Sequence, residues 1–156
     1  MSAESQSESS IDQQFRSLLE GLRTSIPAVQ VLFAFLLTAP FQAKFDSLST
    51  AEHVAFAIAF FSSGAASVLL VAPSIHQRLR APATGMQRHS HRHLVWAIWL
   101  GIAGSLAALI AISATVYLVA SVIYDANAAI IGAALITALS CWSWVFIPIV
   151  TFRSDD

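Results

Sequence analysis

The stretch "LVWAIWLGIAGSLAALIAISATVYLVASVIY", residues 94 to 124, contains no charged side chain. An α-helix rises about 1.5 Å per residue, so about 20 apolar residues cross the roughly 30 Å of hydrocarbon in a bilayer. The stretch is longer than a bilayer requires. It therefore predicts a membrane-spanning helix that tilts or projects beyond the bilayer.

Three further apolar blocks accompany this stretch, and the charged residues are concentrated between the blocks. Only 11% of the 156 residues are charged, whereas about 25% is usual in a soluble domain. We therefore predict an all-α fold, an integral membrane four-helix bundle in one domain over residues 26–152. Proline is expected to end or kink helices, and Pro73 is predicted to end the second span. The predicted spans are residues 26–42, 51–72, 95–123 and 128–151.

The N-terminal region is polar and is predicted to have two parts. Residues 1–9 are rich in Ser and Glu, which predicts disorder. Residues 10–25 place apolar side chains on one helical face, which predicts an amphipathic helix lying in the membrane interface, capped by Ser10 and Gln13. The region lacks the cationic start and apolar centre of a cleavable signal, so the first apolar block is expected to remain as a span.

The distribution of basic residues predicts the orientation. Four spans place both termini on one side together with the loop of residues 74–93, while the opposite side carries a single basic residue, Lys44. The positive-inside rule then predicts that both termini and this loop are cytoplasmic. The arginines on the predicted cytoplasmic side are Arg16, Arg23, Arg78, Arg80, Arg88, Arg92 and Arg153.

The loop of residues 74–93 carries four histidines, three of them in "MQRHSHRH", residues 86–93, and Pro82 is expected to prevent a helix there. One hypothesis is a site for Zn²⁺, Ni²⁺ or Cu²⁺, although no carboxylate or cysteine in the loop completes it. The alternative, which we favour, is electrostatic: arginines beside a span attract anionic lipid headgroups or an acidic partner, and histidines add charge on acidification. The candidate metal ligands are His76, His89, His91 and His93, and the candidate lipid- or partner-binding residues are Arg78, Arg80, Arg88 and Arg92.

Polar and small residues recur at helical spacing inside the spans. Gln30, Thr38 and Gln42 share one face of the first span, and that face is predicted to turn toward other helices together with Ser63 of the second span. Small residues spaced by four predict close helix approach, and we expect self-association or a membrane-protein partner through such faces. In the second span these small residues are Ala55, Ala59, Ser63 and Ser67.

Two stretches resemble a known family: "LLEGLRTSIPAVQVLFAFLLTAPFQAKFDSLS", residues 18–49, and "APSIHQRL", residues 72–79. They are similar to a family of small bacterial membrane proteins of unknown function whose members are often labelled sodium:proton antiporters. The resemblance extends over about residues 15–148. It implies a four-span protein of the bacterial inner membrane.

The chemistry of the spans does not favour an antiporter or an enzyme. Proton-coupled exchange normally uses a carboxylate near the membrane midplane, and every Asp and Glu here lies outside the predicted spans or at their edges. No catalytic motif, cofactor site or nucleic-acid-binding feature is recognisable. We therefore expect a non-enzymatic structural or accessory protein that binds lipids or another membrane protein. The alternative is a small cation or proton transporter, a channel-like oligomer, or a metal- or pH-responsive protein.

Overall fold

The computed structural model describes residues 3–84 and 91–146, and that part of the chain is helical without strands. Side chains are described for Gln13 and for residues 17–76 and 94–144. Between the first two helices lie two 3₁₀ turns, Ala39–Phe41 and Phe45–Ser47, and a π-helical turn, Trp142–Phe146, follows the fourth helix. The all-α prediction is confirmed. The helices are α1 (Ala3–Thr38), α2 (Thr50–Thr84), α3 (His91–Ile123) and α4 (Ala126–Cys141).

Each of the four helices contains a segment long and apolar enough to cross a membrane. Their lengths of 19 to 30 residues bracket the roughly 20 residues that a bilayer requires. The first begins nine residues earlier than predicted, at Ser17 rather than at residue 26, and the second extends to His76. The candidate spans are Ser17–Phe41, Thr50–His76, Leu94–Ile123 and Ala126–Trp144.

Helix α1 differs from the predicted N-terminal region. Its backbone is helical from Ala3, where the sequence predicted disorder over residues 1–9, and Ser10 lies inside the helix rather than at its start. Ala, Glu and Gln are good helix formers, and lengthening an existing helix costs much less than nucleating a new one. The division of residues 10–25 into a separate interfacial helix stays a prediction, because α1 is continuous across that boundary and through Pro27.

Helix α2 also continues beyond its predicted end. It passes through Pro73, which is buried, and through Pro82 to Thr84, so the prediction that residues 74–84 form a loop was wrong. Residues 91–93 belong to α3, and residues 85–90 lie outside the described part. A proline inside a helix removes one backbone hydrogen bond and crowds the preceding turn, and long apolar helices tolerate this when neighbouring groups compensate.

Two helix starts carry side-chain caps. Ser49 and Glu52 are three residues apart, the spacing that predicts a capping box, and the structure confirms it: the Ser49 amide donates to Glu52 Oε2 at 2.7 Å, and the Glu52 amide donates to Ser49 Oγ at 3.3 Å. At α4 the Asp125 carboxylate accepts from the Ala128 amide at 2.7 Å. These bonds satisfy amides that have no partner within the first turn of a helix.

The chain divides into two compact units. The first unit comprises Met1–Phe33 and Ser63–Ala107, and α1, α2 and α3 contact one another there at glycines. A Cβ placed on Gly101 would lie 3.8 Å from Leu22 Cδ2, and one on Gly64 would lie 3.5 Å from Phe33 Cε2. The closest approach is at Gly104, where a Cβ would lie 2.8 Å from Leu70 Cγ. Here only hydrogen fits between the α3 backbone and the leucine.

The second unit comprises Ala34–Ser62 and Ala108–Asp156. In it α3 packs on α4, and a Cβ on Gly132 would lie 3.7 Å from Val116 Cγ1. Aromatic rings join the loop before α2 to that helix: the Phe45 ring lies 5.0 Å from Phe56 and 5.2 Å from His53, edge to face in both pairs.

The small-residue faces lie at the buried sides of the helices, as predicted. Ala59, Ser63, Ala111 and Ala129 are each 0% exposed, and Ala97 is 5% exposed. Small side chains allow backbones to approach closely, which is the main source of helix–helix packing in a lipid environment. The chain itself covers these residues, and self-association through small-residue faces stays a prediction.

Candidate functional site

The predicted polar face of α1 is not directed toward the other helices of the chain. Gln30 and Thr38 lie on α1, whereas Gln42 lies beyond the 3₁₀ turn that follows this helix; all three are exposed, and Ser63 of α2 is completely buried. The buried face of α1 carries a row of apolar side chains spaced by seven, Leu22, Val29 and Leu36. Gln30 directly follows Val29, so the two side chains point about 100° apart around the helix.

Hydroxyl groups on α1 are satisfied by their own helix. Thr38 Oγ1 donates to the Phe35 carbonyl at 2.8 Å, and Thr24 Oγ1 donates to the Gly21 carbonyl at 2.8 Å. The Gln30 side chain cannot donate to the Gly21 carbonyl or to the Phe35 carbonyl, because both lie too far away along α1. Within the described part of the chain its amide makes no hydrogen bond. Gln30 thus differs chemically from the hydroxyl-bearing residues of the same helix.

A cluster at the start of α2 joins this helix to the loop before it. We call Phe45, Ser49, Glu52 and His53 the capping cluster. The reciprocal Ser49–Glu52 bonds close the first turn of α2, and the Phe45 ring packs edge to face on the His53 ring. The cluster brings a carboxylate and an imidazole together at one end of a candidate span.

The hydrogen bonds of this cluster indicate a structural role. His53 Nδ1 lies 3.1 Å from the Ser49 carbonyl oxygen, which can only accept, so Nδ1 carries the hydrogen. The Glu52 carboxylate is engaged by the cap. Capping-box spacing predicts the Ser49–Glu52 pair from the sequence, whereas no local pattern predicts the packing of the Phe45 ring on His53.

A second polar pair links α3 to α4. Ser113 Oγ and Thr137 Oγ1 are 2.8 Å apart, and Thr137 Oγ1 also donates to the Ala133 carbonyl at 2.8 Å. A hydroxyl has one hydrogen, so Ser113 is the donor to Thr137. Sequence reasoning placed Thr137 on a small face of the fourth span but did not identify its partner.

We expect the Ser113–Thr137 bond to give a measurable coupling energy. In a double-mutant cycle of Ser113→Ala and Thr137→Val, the coupling free energy of unfolding should be about 0.6 kcal/mol, a typical value for interhelical hydrogen bonds in membranes. Unfolding by denaturing detergent would measure it. Thr115 provides the matched control, since its hydroxyl donates to the Ala111 carbonyl of its own helix. A cycle of Thr115→Val with Thr137→Val should give no coupling; equal coupling in the two cycles would refute the assignment.

The predicted metal ligands and basic residues are only partly described. His76 is exposed on α2, His91 and His93 lie in the first turn of α3, and His89 is outside the described part. In the residues that the structure describes, no group of three or more His, Cys, Asp or Glu could hold a metal. The side chains of the clustered histidines fall outside that range, so the metal hypothesis stays a prediction.

The four candidate arginines are likewise only partly within the described residues. Arg78 and Arg80 lie on the C-terminal part of α2, and Arg92 lies in the first turn of α3. Arg88 is outside the described residues. The backbones of Arg78, Arg80 and Arg92 lie directly beyond the second and third candidate spans, since the second span ends at His76 and the third begins at Leu94.

The described part of the chain has four helices long and apolar enough to cross a membrane, as in a multi-pass α-helical membrane protein. The chain belongs to a family of unknown function, DUF6328, whose pattern matches residues 3–148. The resemblance to a family without an established function is thereby confirmed, but the comparison lends no support to the antiporter label. No curated protein and no solved structure matches the chain.

Proposed function

We propose that this chain is a non-catalytic structural or accessory protein of the bacterial cytoplasmic membrane, with both termini in the cytoplasm. The observation that carries the proposal is where its polar groups lie. Glu52 and His53 are engaged in the capping cluster at the end of a candidate span, and the hydroxyls of Thr38, Thr115 and Ser67 bond to carbonyls of their own helices. Such groups stabilise helices and offer no route for an ion.

The proposed binding activity belongs to the segment between the second and third candidate spans. Arg78, Arg80, Arg88 and Arg92 place four positive charges between His76 and Leu94. Each arginine near an anionic bilayer surface contributes about 1 kcal/mol of attraction. We propose that these residues bind anionic lipid headgroups, so that the protein holds its orientation and concentrates such lipids around itself.

The lipid proposal is tested in nanodiscs by competition between anionic and zwitterionic lipids for the surface of the protein. With all four arginines changed to Gln, the preference for phosphatidylglycerol over phosphatidylcholine should fall by well over tenfold, because about 1 kcal/mol of attraction is lost per arginine, and high salt should lower the preference of the wild type as well. Lys44→Gln is the control, because Lys44 is proposed to lie on the opposite side of the membrane. An unchanged preference in the quadruple variant would refute the proposed role.

The alternative, a small cation or proton transporter, makes a different prediction. If the chain is such a transporter, proteoliposomes containing it should show cation-dependent proton flux, and the flux should be lost on Gln30→Ala or Thr38→Ala. The argument against it is that the Thr38 hydroxyl donates to its own helix and that Glu52, the carboxylate at the start of the second candidate span, is engaged by the cap. Flux that depends on those residues would overturn the accessory role.

A further inference from the structure

Gln30 lies near the centre of the first candidate span. Within Ser17–Phe41, thirteen residues precede it and eleven follow it, which places it about 20 Å and about 17 Å from the two ends. Its side chain is exposed, and within the described part of the chain it makes no hydrogen bond. The amide has two donor hydrogens and an accepting oxygen, none of which hydrocarbon can satisfy. It therefore has no polar partner in the described part of the chain, and the surrounding hydrocarbon offers none.

We propose that the exposed face of α1 around Gln30 binds the same face of a second copy of this chain, with the two Gln30 amides hydrogen-bonded to each other. This proposal rests on the proposed function only in requiring that the chain spans the membrane in one orientation. Every copy then has α1 parallel to that of its neighbour and Gln30 at the same depth. A primary amide is complementary to itself, since the NH₂ of each donates to the Oε1 of the other.

The neighbours of Gln30 suit this contact. Pro27 and Val31 flank the amide and are exposed, Val31 to 57%, so they surround it with apolar surface that a second helix can cover. Packed helix axes lie about 8–10 Å apart, a distance that two glutamine side chains bridge. The neighbouring face of α1, which carries Leu22 and Val29 and is turned about 100° from Gln30, is already buried within the chain. A twofold arrangement makes the contact self-complementary, as in most homodimers.

The test measures dimerisation by energy transfer between labelled copies in phosphatidylcholine vesicles at increasing dilution. Gln30→Leu keeps a similar side-chain size and removes the amide, so the dissociation constant should rise by about tenfold, as expected for a polar contact between spans. The dissociation constant of Gln30→Asn, which keeps the amide, should lie between those of the wild type and Gln30→Leu. Thr38→Val is the matched control: Thr38 is also exposed on α1, but its hydroxyl is satisfied by the Phe35 carbonyl, so dimerisation should not change.

Three outcomes would overturn the proposal: a wild type that stays monomeric at every dilution, a Gln30→Leu variant that dimerises as the wild type does, or a Thr38→Val variant that is weakened equally. The first outcome would leave a different membrane protein as the partner of Gln30. Circular dichroism of Gln30→Leu checks that α1 stays helical, which we expect because the substituted side chain is exposed. The vesicles contain no anionic lipid, so a failure of the proposed lipid binding leaves this result unaffected.

Discussion

Gly104→Leu is expected to lower the free energy of unfolding by about 1–3 kcal/mol, the usual cost of forcing extra side-chain atoms into a packed site. Gly104 is buried on α3, where even a Cβ would lie 2.8 Å from both Cγ and Cδ2 of Leu70 and 3.3 Å from Leu69 Cβ. Leucine adds three further carbons beyond that Cβ. Leu70 has little room to move, since it is 1% exposed. Unfolding by denaturing detergent in mild micelles measures the loss.

Two variants test whether the loss comes from this contact. Gly21 is exposed, and a Cβ placed on it would have no neighbour within 4 Å, so Gly21→Ala should stabilise α1 slightly through helix propensity. Combining Gly104→Leu with Leu70→Ala should recover part of the stability lost by Gly104→Leu alone, because the smaller side chain makes room. If the double variant loses more unfolding free energy than the two single variants lose together, the proposed contact between α2 and α3 is wrong.

Ala59→Leu is the second substitution expected to be strongly destabilising, again by about 1–3 kcal/mol. Ala59 is 0% exposed on the small face of α2 and has no free volume for a larger side chain. The cost arises from helix separation, because the leucine cannot be accommodated without moving a neighbouring backbone. The same detergent titration measures the effect.

Ala65 offers a matched control for this substitution. It lies on the same helix, has the same side chain and is exposed. In lipid an exposed leucine is favourable, so Ala65→Leu should leave the unfolding free energy nearly unchanged. Equal losses at positions 59 and 65 would show that the buried face of α2 has been assigned incorrectly.

The sequence predicted the features of the fold that depend on local chemistry. Charge exclusion predicted four apolar helices, and the spacing of Ser49 and Glu52 predicted the cap of α2. Small residues spaced by four predicted the buried face that includes Ala59 and Ser63. Each of these depends on residues within a few positions of one another along the chain.

The features that the sequence predicted wrongly depend on context beyond the local pattern. Pro73 was predicted to end a helix, but α2 continues through it, as spanning helices do when neighbouring groups compensate for the missing hydrogen bond. The polar face of α1 was predicted to turn toward other helices, which stays a prediction; the row that the chain itself buries on α1 is Leu22, Val29 and Leu36. Which of two plausible faces is buried is decided by packing with other helices. In the same way, Ser113 and Thr137 are 24 residues apart, and no local pattern pairs them.

The central claim is that the four apolar helices cross a membrane, and cysteine labelling on either side of α2 tests it most directly. In a Cys141→Ser background, which replaces an exposed cysteine, single cysteines are placed at Ser47, before α2, and at Ser90, before α3. In intact bacterial cells a membrane-impermeant maleimide should label Ser47→Cys, and should label Ser90→Cys only after the membrane is opened. Labelling of both positions from the same side would show that α2 does not cross, and labelling of Ser90→Cys alone would reverse the proposed orientation.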